Sequence, residues 1–393
     1  MDDFEKRTKK PLSELYVTAR LAVLCALVAF IVLFVAIGHS DMRAENFRYL
    51  IRYLDRSSFS PADGYSTLYY KGDSPAFEMY KGNLAVLADG ELSLIDASGN
   101  TVMTDTVAAD AEFAAAQNER YLVLFSRSQG VVRAYNSFSS VFEKKFSSIY
   151  SVYGFEDGFA VIAAGEGYRT DVTVMNADFR VIYTLSTDNI VTAALLKKNS
   201  LYLASVTPDV AGAFSGEDIT AGEIGAFDVR TGNVLFRSKL YGMPLGIYHD
   251  GETLFTAATD GVYLFTGDGE TAEHYRFTVT NAFTDGGFAV TADDGSRGRT
   301  LFFDRNGVFS CDCGSVADVG FSDGVYVLSQ SAVYRLEKSG ETAEVCGIKT
   351  FAAEAAKASV RSGGLRVFPL SDGKVLFCGR GSAFPLSVPD GGE

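Results

Sequence analysis

Residues 225–236 read GAFDVRTGNVLF, and the pattern of this stretch recurs along the chain. In each copy bulky residues precede a position that is usually Asp or Asn, and a Gly often follows a few residues later. An Asp or Asn side chain can hydrogen-bond the backbone two residues on, and Gly tolerates a positive φ, so the pattern predicts a β-hairpin turn. The copies are LIDASG at Leu94, AYNSFS at Ala134, VMNADF at Val174, AFDVRTG at Ala226, LFTGDG at Leu264, FFDRNG at Phe302, RLEKSG at Arg335 and FPLSDG at Phe368.

The copies start 33 to 52 residues apart, and the spacing is often close to 40. Between them lie short runs of consecutive apolar residues, which are typical of strands buried on both faces: 84–87, 121–125, 159–162 and 325–328. A period near 40 residues with about four strands in each unit is the signature of a propeller blade. We therefore predict that each copy joins the two outer strands of one blade.

The predicted fold class is all-β, a β-propeller over residues 65–393. Eight copies favour eight blades, and seven blades are the alternative. The strand around Leu68 is expected to close the ring against the C-terminal blade.

Residues 225–236 resemble the repeat of quinoprotein-type propellers (PQQ-like and WD-like), whose blades carry an aliphatic-Asp-x-x-Thr-Gly-x-x-x-Trp run. Phe236 stands where that family has Trp, and the whole chain contains no Trp. This departure argues against quinone-dependent dehydrogenase activity and against WD repeats. The order of segments resembles a family of single-pass membrane proteins from Gram-positive bacteria with such an ectodomain. That resemblance implies an architecture and no activity.

Residues 21–38 (LAVLCALVAFIVLFVAIG) carry no charge. As a helix they would extend roughly 27 Å, enough to cross a bilayer. Residues 1–20 carry five basic and four acidic side chains, so we expect this tail to lie in the cytoplasm and the chain to be single-pass in the cell membrane. Ala36-Ile37-Gly38 also fits a signal-peptide cleavage site, which is the alternative. Residues 39–64 are predicted to form a juxtamembrane amphipathic helix and a linker.

The composition excludes two classes of protein. With 35 Lys+Arg against 49 Asp+Glu, the net charge of −14 argues against binding of nucleic acid. The 30 Phe and 20 Tyr can bury a large core, which excludes a disordered chain.

No catalytic, metal or cofactor site is predicted. The chain has three His and no HExxH, and its Gly pairs lie in turn contexts rather than between a strand and a helix. Asp/Glu pairs suited to glycoside hydrolysis stay open, because a propeller brings distant loops to one mouth.

Cys313, Cys346 and Cys378 each precede a Gly at spacings of 33 and 32 residues. This spacing predicts equivalent positions on different blades, too far apart for a bridge that needs Cα atoms within about 7 Å. Cys346 and Cys378 are expected to be small buried apolar residues. Cys311 is expected to be a strand residue like Cys313, and the propeller to fold without disulfides.

Four connections between second and third strands vary most: 126–130, 165–171, 207–225 and 293–299. Because all four connections join the second and third strands of a blade, we expect them on one face of the ring. Their mixed charge and single aromatic residue suit recognition of a protein or a glycan. The candidate partner-binding residues are Arg127, Tyr168, Arg169, Asp209, Glu217, Asp218, Arg297 and Arg299.

The sequence thus predicts a membrane-anchored, extracytoplasmic propeller that acts as a binding or scaffolding module at the bacterial envelope. Its expected partners are the membrane, through residues 21–38, and an envelope protein or glycan. The alternative is a propeller enzyme, either a quinoprotein-like oxidoreductase or a carbohydrate-active enzyme.

The predicted topology can be tested by thiol labelling of intact cells. In a variant that lacks the native Cys residues, a Cys at position 57 should react with an impermeant reagent and a Cys at position 13 should not. External labelling at position 13 alone would show the opposite orientation, and a mature N-terminus at His39 would show cleavage.

Overall fold

The structure is a computed structural model of the chain. It describes residues 20–29, 66–71, 75–117, 120–156, 158–207, 222–293, 298–304, 307–322, 324–329, 332–339, 342–350, 365–370, 374–379 and 382–388. The chain divides into two compact units, Met1–Ser60 and Pro61–Glu393.

In the first unit the described residues form one helix, α1, over residues 20–29. Among the residues that the structure describes, no helix combines the length and the hydropathy needed to cross a bilayer. The remainder of the predicted transmembrane segment, residues 30–38, lies outside the described residues, as does the predicted juxtamembrane segment 39–64.

The second unit is built of strands. In chain order they are β1 (Leu68–Tyr69), β2 (Ala76–Tyr80), β3 (Asn83–Ala88), β4 (Glu91–Ile95), β5 (Thr101–Thr106), β6 (Ala111–Phe113), β7 (Leu122–Ser126), β8 (Val131–Tyr135), β9 (Ser140–Lys145), β10 (Ile149–Phe155), β11 (Gly158–Ala163), β12 (Thr170–Asn176), β13 (Val181–Thr187), β14 (Ile190–Lys197), β15 (Ser200–Val206), β16 (Gly222–Asp228), β17 (Val234–Leu240), β18 (Pro244–His249), β19 (Leu254–Ala258), β20 (Gly261–Phe265), β21 (Thr271–Arg276), β22 (Thr278–Phe283), β23 (Phe288–Asp293), β24 (Gly298–Asp304), β25 (Gly307–Cys311), β26 (Val316–Phe321), β27 (Val325–Ser329), β28 (Ala332–Ser339), β29 (Thr342–Thr350), β30 (Arg366–Pro369), β31 (Lys374–Cys378) and β32 (Ser382–Ser387).

Within the described residues these strands form eight four-stranded antiparallel blades. Blades 1 to 7 are β2–β5, β6–β9, β10–β13, β14–β17, β18–β21, β22–β25 and β26–β29, and blade 8 contains β30–β32 together with β1. First strands of consecutive blades contact one another, as β14 contacts β18 and β26 contacts β30, so they lie nearest the ring axis. One parallel bridge, Ser310 to Thr342, also joins the outer strands of blades 6 and 7. The predicted eight-bladed all-β propeller is confirmed.

The N-terminal strand closes the ring. β1 pairs antiparallel with β32, with Leu68 opposite Ala383 and Tyr69 opposite Ser382. It is therefore the outermost strand of the C-terminal blade, as the sequence predicted. Leu68 is fully buried in an apolar cluster that also contains Phe77 of blade 1 and Phe368 of blade 8.

Apolar clusters fill the seams between consecutive blades, from blades 1 and 2 round to blades 8 and 1. The second strand of a blade lies between two such seams, so both its faces are covered. Every residue of β3, β7, β11 and β19 is buried. This confirms the prediction for the runs 84–87, 121–125 and 159–162, and in the fourth run Tyr326, Val327 and Leu328 are buried while Val325 is partly buried.

The recurrent Asp and Asn residues form the hairpin between third and fourth strands. One side-chain oxygen of Asp96, Asn136, Asn176 and Asp228 accepts hydrogen bonds from backbone N–H groups two to four residues on, at 2.8 to 3.1 Å. Their predicted role as turn formers is confirmed at these four positions.

The Gly of the repeat is needed where the turn enters the left-handed region. Gly99, Gly232 and Gly269 have φ values of 85°, 74° and 82°. In blade 3 this place is taken by Phe179, at φ 61°, which L-residues with bulky side chains seldom adopt. Its ring stacks on Phe142 with centroids 4.5 Å apart, and this contact offsets the unfavourable backbone conformation.

The eighth copy was assigned wrongly. Residues 368–373 connect β30 and β31, the first and second strands of blade 8, instead of two outer strands. The outer strand of blade 8 is β1, so this blade has no hairpin between third and fourth strands. Turn chemistry is the same for any hairpin, which is why the sequence pattern could not separate the two positions.

The prediction of a disulfide-free propeller is also wrong. Cys311 and Cys313 are bridged, with Cα atoms 5.6 Å apart, because the chain bends at Asp312 where β25 ends. The repeated Cys-Gly positions are not equivalent either, since Cys346 lies in an outer strand and Cys378 ends a second strand. Cys378 is fully buried, which confirms that part of the prediction, and the side chain of Cys346 lies outside the described residues.

Two neighbouring residues of β1 can test the ring closure. Leu68→Ala removes a fully buried side chain, and we expect a loss of about 2–5 kcal/mol in the free energy of unfolding. Tyr69 is 78% exposed, so Tyr69→Ala should change stability by less than about 0.5 kcal/mol. Chemical denaturation of both variants measures the difference. Equal stabilities would show that β1 does not hold the ring closed.

Candidate functional site

Antiparallel blades place their connections on two opposite faces of the ring. Second-to-third-strand connections and the links between blades emerge on one face, which we call the loop face. First-to-second-strand turns and the repeated outer hairpins emerge on the other, which we call the hairpin face. The four variable connections identified in the sequence all join second and third strands, in blades 2, 3, 4 and 6.

Arg127 lies in the connection of blade 2 and reaches blade 3. Its guanidinium forms an ion pair with Glu112, and its Nε donates to the Tyr150 carbonyl at 3.0 Å. The guanidinium carbon lies 5.3 Å from the centre of the Phe125 ring. Arg127 therefore links blades 2 and 3 at the loop face, and three contacts fix the position of its side chain.

Tyr150 connects Arg127 to the next predicted residues. The ladder between β10 and β11 shifts register at Tyr150, which is an extra residue in the strand. Such a bulge re-aims a side chain, and the Tyr150 ring is exposed. Its hydroxyl donates to the Arg169 carbonyl at 3.4 Å, beside the exposed Tyr168. The structure thus brings Arg127, Tyr168 and Arg169 together through Tyr150.

Of the remaining predicted residues, the structure describes only Arg299, and it is not part of this group. Arg299 is exposed on β24 of blade 6, three blades away from Tyr168. Asp209, Glu217, Asp218 and Arg297 lie outside the described residues.

Three exposed apolar residues extend the same face over blades 4 and 5, and sequence reasoning missed them. Ile190 begins β14, and Tyr241 and Met243 lie in the link from blade 4 to blade 5. They are 43 to 48% exposed. The only sequence signal was bulky apolar residues in short links between strands, where polar residues are usual. We call Tyr150, Tyr168, Ile190, Tyr241 and Met243 the loop-face patch.

Blade 5 holds the link that carries Tyr241 and Met243. The Tyr241 N–H donates to the Tyr263 hydroxyl at 3.2 Å, and the Met243 N–H donates to the Thr259 hydroxyl at 3.0 Å. The Tyr263 hydroxyl in turn donates to Asp260 at 2.5 Å. Both exposed side chains are therefore presented on a backbone with fixed hydrogen bonds.

Gly242 lies between them because no side chain fits there. A Cβ at this position would meet Asp260 Oδ1 at 2.1 Å. The His274 ring stacks on Tyr263 with centroids 3.8 Å apart, and burial lowers the pKa of His274. His274 is thus neutral at neutral pH. Burial and the Asp260 carboxylate raise the pKa of Tyr263, so the Tyr263 hydroxyl stays protonated and can donate a hydrogen bond.

A second polar cluster lies on the first strands of the ring. Arg366 of β30 forms ion pairs with Asp318 of β26 at 2.9 Å, with Glu78 of β2 at 3.9 Å and with Asp285 of the turn after β22 at 3.8 Å. We call these four residues the Arg366 cluster. Sequence reasoning missed it because Glu78 and Asp318 alternate with apolar residues as ordinary strand residues do. Only closure of the ring brings blades 8 and 1 together.

Among the described residues, no group of three or more His, Cys, Asp or Glu side chains is arranged to hold a metal ion.

No protein-family model matches the sequence, and no curated protein matches it. Solved structures do resemble the fold. BamB from Moraxella catarrhalis is 13% identical with a TM-score of 0.53, over 82% of this chain and 96% of that chain. Apo AztD from Citrobacter koseri is 12% identical with a TM-score of 0.52, over 77% and 89%. Sqt1 from Saccharomyces cerevisiae is 12% identical with a TM-score of 0.57, over 83% and 100%. At these identities the likeness supports the β-propeller fold alone.

The hydrogen bonds under the loop-face patch can be tested at Tyr263. Tyr263→Phe leaves the Tyr241 N–H and an Asp260 oxygen without this partner, a loss of about 1–3 kcal/mol in local stability. We expect the Tyr241 amide to exchange with solvent about 5- to 150-fold faster in hydrogen-exchange measurements. Tyr275→Phe is the matched control, because among the described residues the Tyr275 hydroxyl bonds to Glu273 on the same outer strand and not to the link. Unchanged exchange in the first variant would show that Tyr263 does not order the link.

Proposed function

We propose that this protein is a membrane-anchored, extracytoplasmic β-propeller that binds a protein partner at the bacterial envelope through its loop face. The observation that carries this proposal is the loop-face patch: five exposed aromatic and aliphatic side chains on blades 3 to 5, all on one face. Arg127 and blade 5 hold parts of this patch in place. A surface ordered before binding loses less conformational entropy when a partner binds.

The composition of the patch favours a protein over a glycan. Protein interfaces are enriched in Tyr, Met and Arg, and their centres are apolar. Tyr150, Tyr168 and Tyr241 would suit either partner, since aromatic rings also stack on sugars. Ile190 and Met243 are aliphatic and offer a sugar no hydrogen bond, whereas they suit the apolar centre of a protein interface.

Two features support the proposed location. The uncharged stretch 21–38 is long enough to span a bilayer, and the preceding residues carry a small excess of positive charge. The Cys311–Cys313 disulfide is of a kind that persists in oxidising compartments and is rare in the cytosol. Both features are consistent with a propeller outside the cytoplasmic membrane.

The Arg366 cluster is the one observation that favours the enzyme alternative, because buried carboxylates of shifted pKa are common in active sites. Its carboxylates surround a guanidinium of the same chain, however. Asp318 accepts hydrogen bonds from Arg366 and from the Val367 N–H, each at 2.9 Å, and Glu78 is 9% exposed. Groups paired with one another at a seam between blades are better suited to holding the ring than to reacting with a substrate.

Photo-crosslinking in the native host tests the proposed interface. A photoreactive amino acid replaces Tyr168 or Tyr241 in the full-length protein. The matched controls replace Asp178 or Arg230, exposed residues of the same two blades on the hairpin face. We expect both loop-face positions to give one and the same protein adduct and both control positions to give none.

Three results would contradict the proposal. The same adduct from both faces would show non-specific contact. An adduct removed by glycan-degrading enzymes would identify a glycan as the ligand. No adduct at either loop-face position, in cells where the protein is folded and abundant, would show that this face has no partner.

A further inference from the structure

The Arg366 cluster lies where the two ends of the propeller meet. Glu78 belongs to the first strand of blade 1 and Arg366 to the first strand of blade 8. Arg366 pairs in the ladder with Cys378, and Cys378 is buried in the apolar cluster of the seam between these two blades. A change in the interaction between Glu78 and Arg366 therefore acts on the seam that closes the ring.

The charges in this cluster do not balance. Three carboxylates face a single guanidinium, and the guanidinium is most closely engaged by Asp318, at 2.9 Å. Glu78 contacts Arg366 only at 3.9 Å, and its other oxygen accepts the neighbouring Met79 N–H at 3.1 Å. The Glu78 side chain is 12% exposed, so water compensates little of its charge.

We infer that protonation of Glu78 controls the ring closure. The seam between blades 8 and 1 is more stable when Glu78 is neutral and less stable when Glu78 is ionised. The inference is independent of the loop-face patch and of any partner. It concerns how firmly the propeller is closed.

The electrostatics of Glu78 support this direction. Burial raises the pKa of Glu78 from 4.5 to about 7; the Arg366 guanidinium opposes the rise, and the carboxylates of Asp285 and Asp318 add to it. These are the charged groups that face Glu78 from β30, from the turn after β22 and from β26. The Cys378 thiol is also close to Arg366, and burial raises its pKa, so it stays neutral.

The sign follows from proton linkage. Between pH 4.5 and about 7 the closed ring binds more protons at Glu78 than an opened ring, in which Glu78 regains its ordinary pKa. The contribution of Glu78 to closure is therefore fully present below pH 4.5, and it is lost as the pH rises through about 7. A shift of this size corresponds to a change of about two orders of magnitude in the closing equilibrium.

Cys378 reports the opening of this seam directly. Its thiol is fully buried between blades 8 and 1 and reacts only when the seam opens. The wild-type full-length protein is treated with a dipyridyl disulfide at a series of pH values, and modification of the Cys378 peptide is followed by mass spectrometry. Dividing the rate by that of Glu78→Gln at the same pH cancels the intrinsic pH dependence of the thiol.

We expect this ratio to be near one at about pH 4 and to rise at least about tenfold by about pH 8.5. Glu91→Gln, which removes an exposed carboxylate of blade 1, is the matched control and should behave as the wild type. Asp285→Asn removes a like charge near Glu78, so its ratio should level off at a lower pH and a lower value.

Two results would overturn the inference: a ratio that is constant with pH, or equal effects of the substitutions at Glu78 and Glu91. If Glu78→Gln does not fold, the comparison of Asp285→Asn with the wild type carries the test, and identical pH profiles for these two proteins would overturn it.

Discussion

The pairing of β1 with β32 is the constraint on which the rest of the structure depends. Every blade has two apolar faces, and each seam covers one face of two neighbours. An open ring would leave one face of blade 1 and one face of blade 8 in water. Two residues, Leu68 and Tyr69, supply the outer strand that joins the chain ends, and the core cluster around Leu68 covers both faces. Because apolar burial contributes roughly 25 cal/mol per Å², loss of this one seam would destabilise both terminal blades.

Closure also explains why charged groups occur in the middle of the ring. Inner strands converge near the axis, where little room is left for large apolar side chains and where strand ends meet water. Arg366 can reach carboxylates from blades 1, 6 and 7 only because the ring brings those strands to one place. The cluster stabilises the seam while Asp318 and Arg366 are paired. It weakens the seam when Glu78 adds a further charge, since an incompletely compensated buried charge is costly.

Local chemistry decided what the sequence could predict. The Asp and Asn turns act on their own backbone within four residues, so Asp96 and Asp228 predicted their hairpins and their blades correctly. Contacts across seams have no such local signature. Glu78 and Arg366 are almost 290 residues apart, and nothing near either residue indicates the other. The Cys311–Cys313 bridge was missed for a different reason: the spacing of the Cys-Gly pairs suggested a repeat, while the bend at Asp312 that joins the two Cys residues is a detail of one link.

The loop-face patch lies where the repeat is broken. The hairpin face is constrained, because the outer hairpins of blades 1 to 4 use an Asp or Asn to satisfy their own backbone, and substitutions there disturb a turn. The loop face has no such repeated requirement, so its connections differ in length and in side chains from blade to blade. Two such differences lie in blades 4 and 5: the long connection after β15, and the link through Gly242, whose neighbours are hydrogen-bonded to Thr259 and Tyr263 of blade 5. Exposed Tyr and Met side chains contribute nothing to the seams, and the hydrogen bonds that order them cost backbone freedom. The described link through Tyr241 and Met243 combines exposed side chains with backbone hydrogen bonds that fix it, and this combination suits selective recognition of a partner.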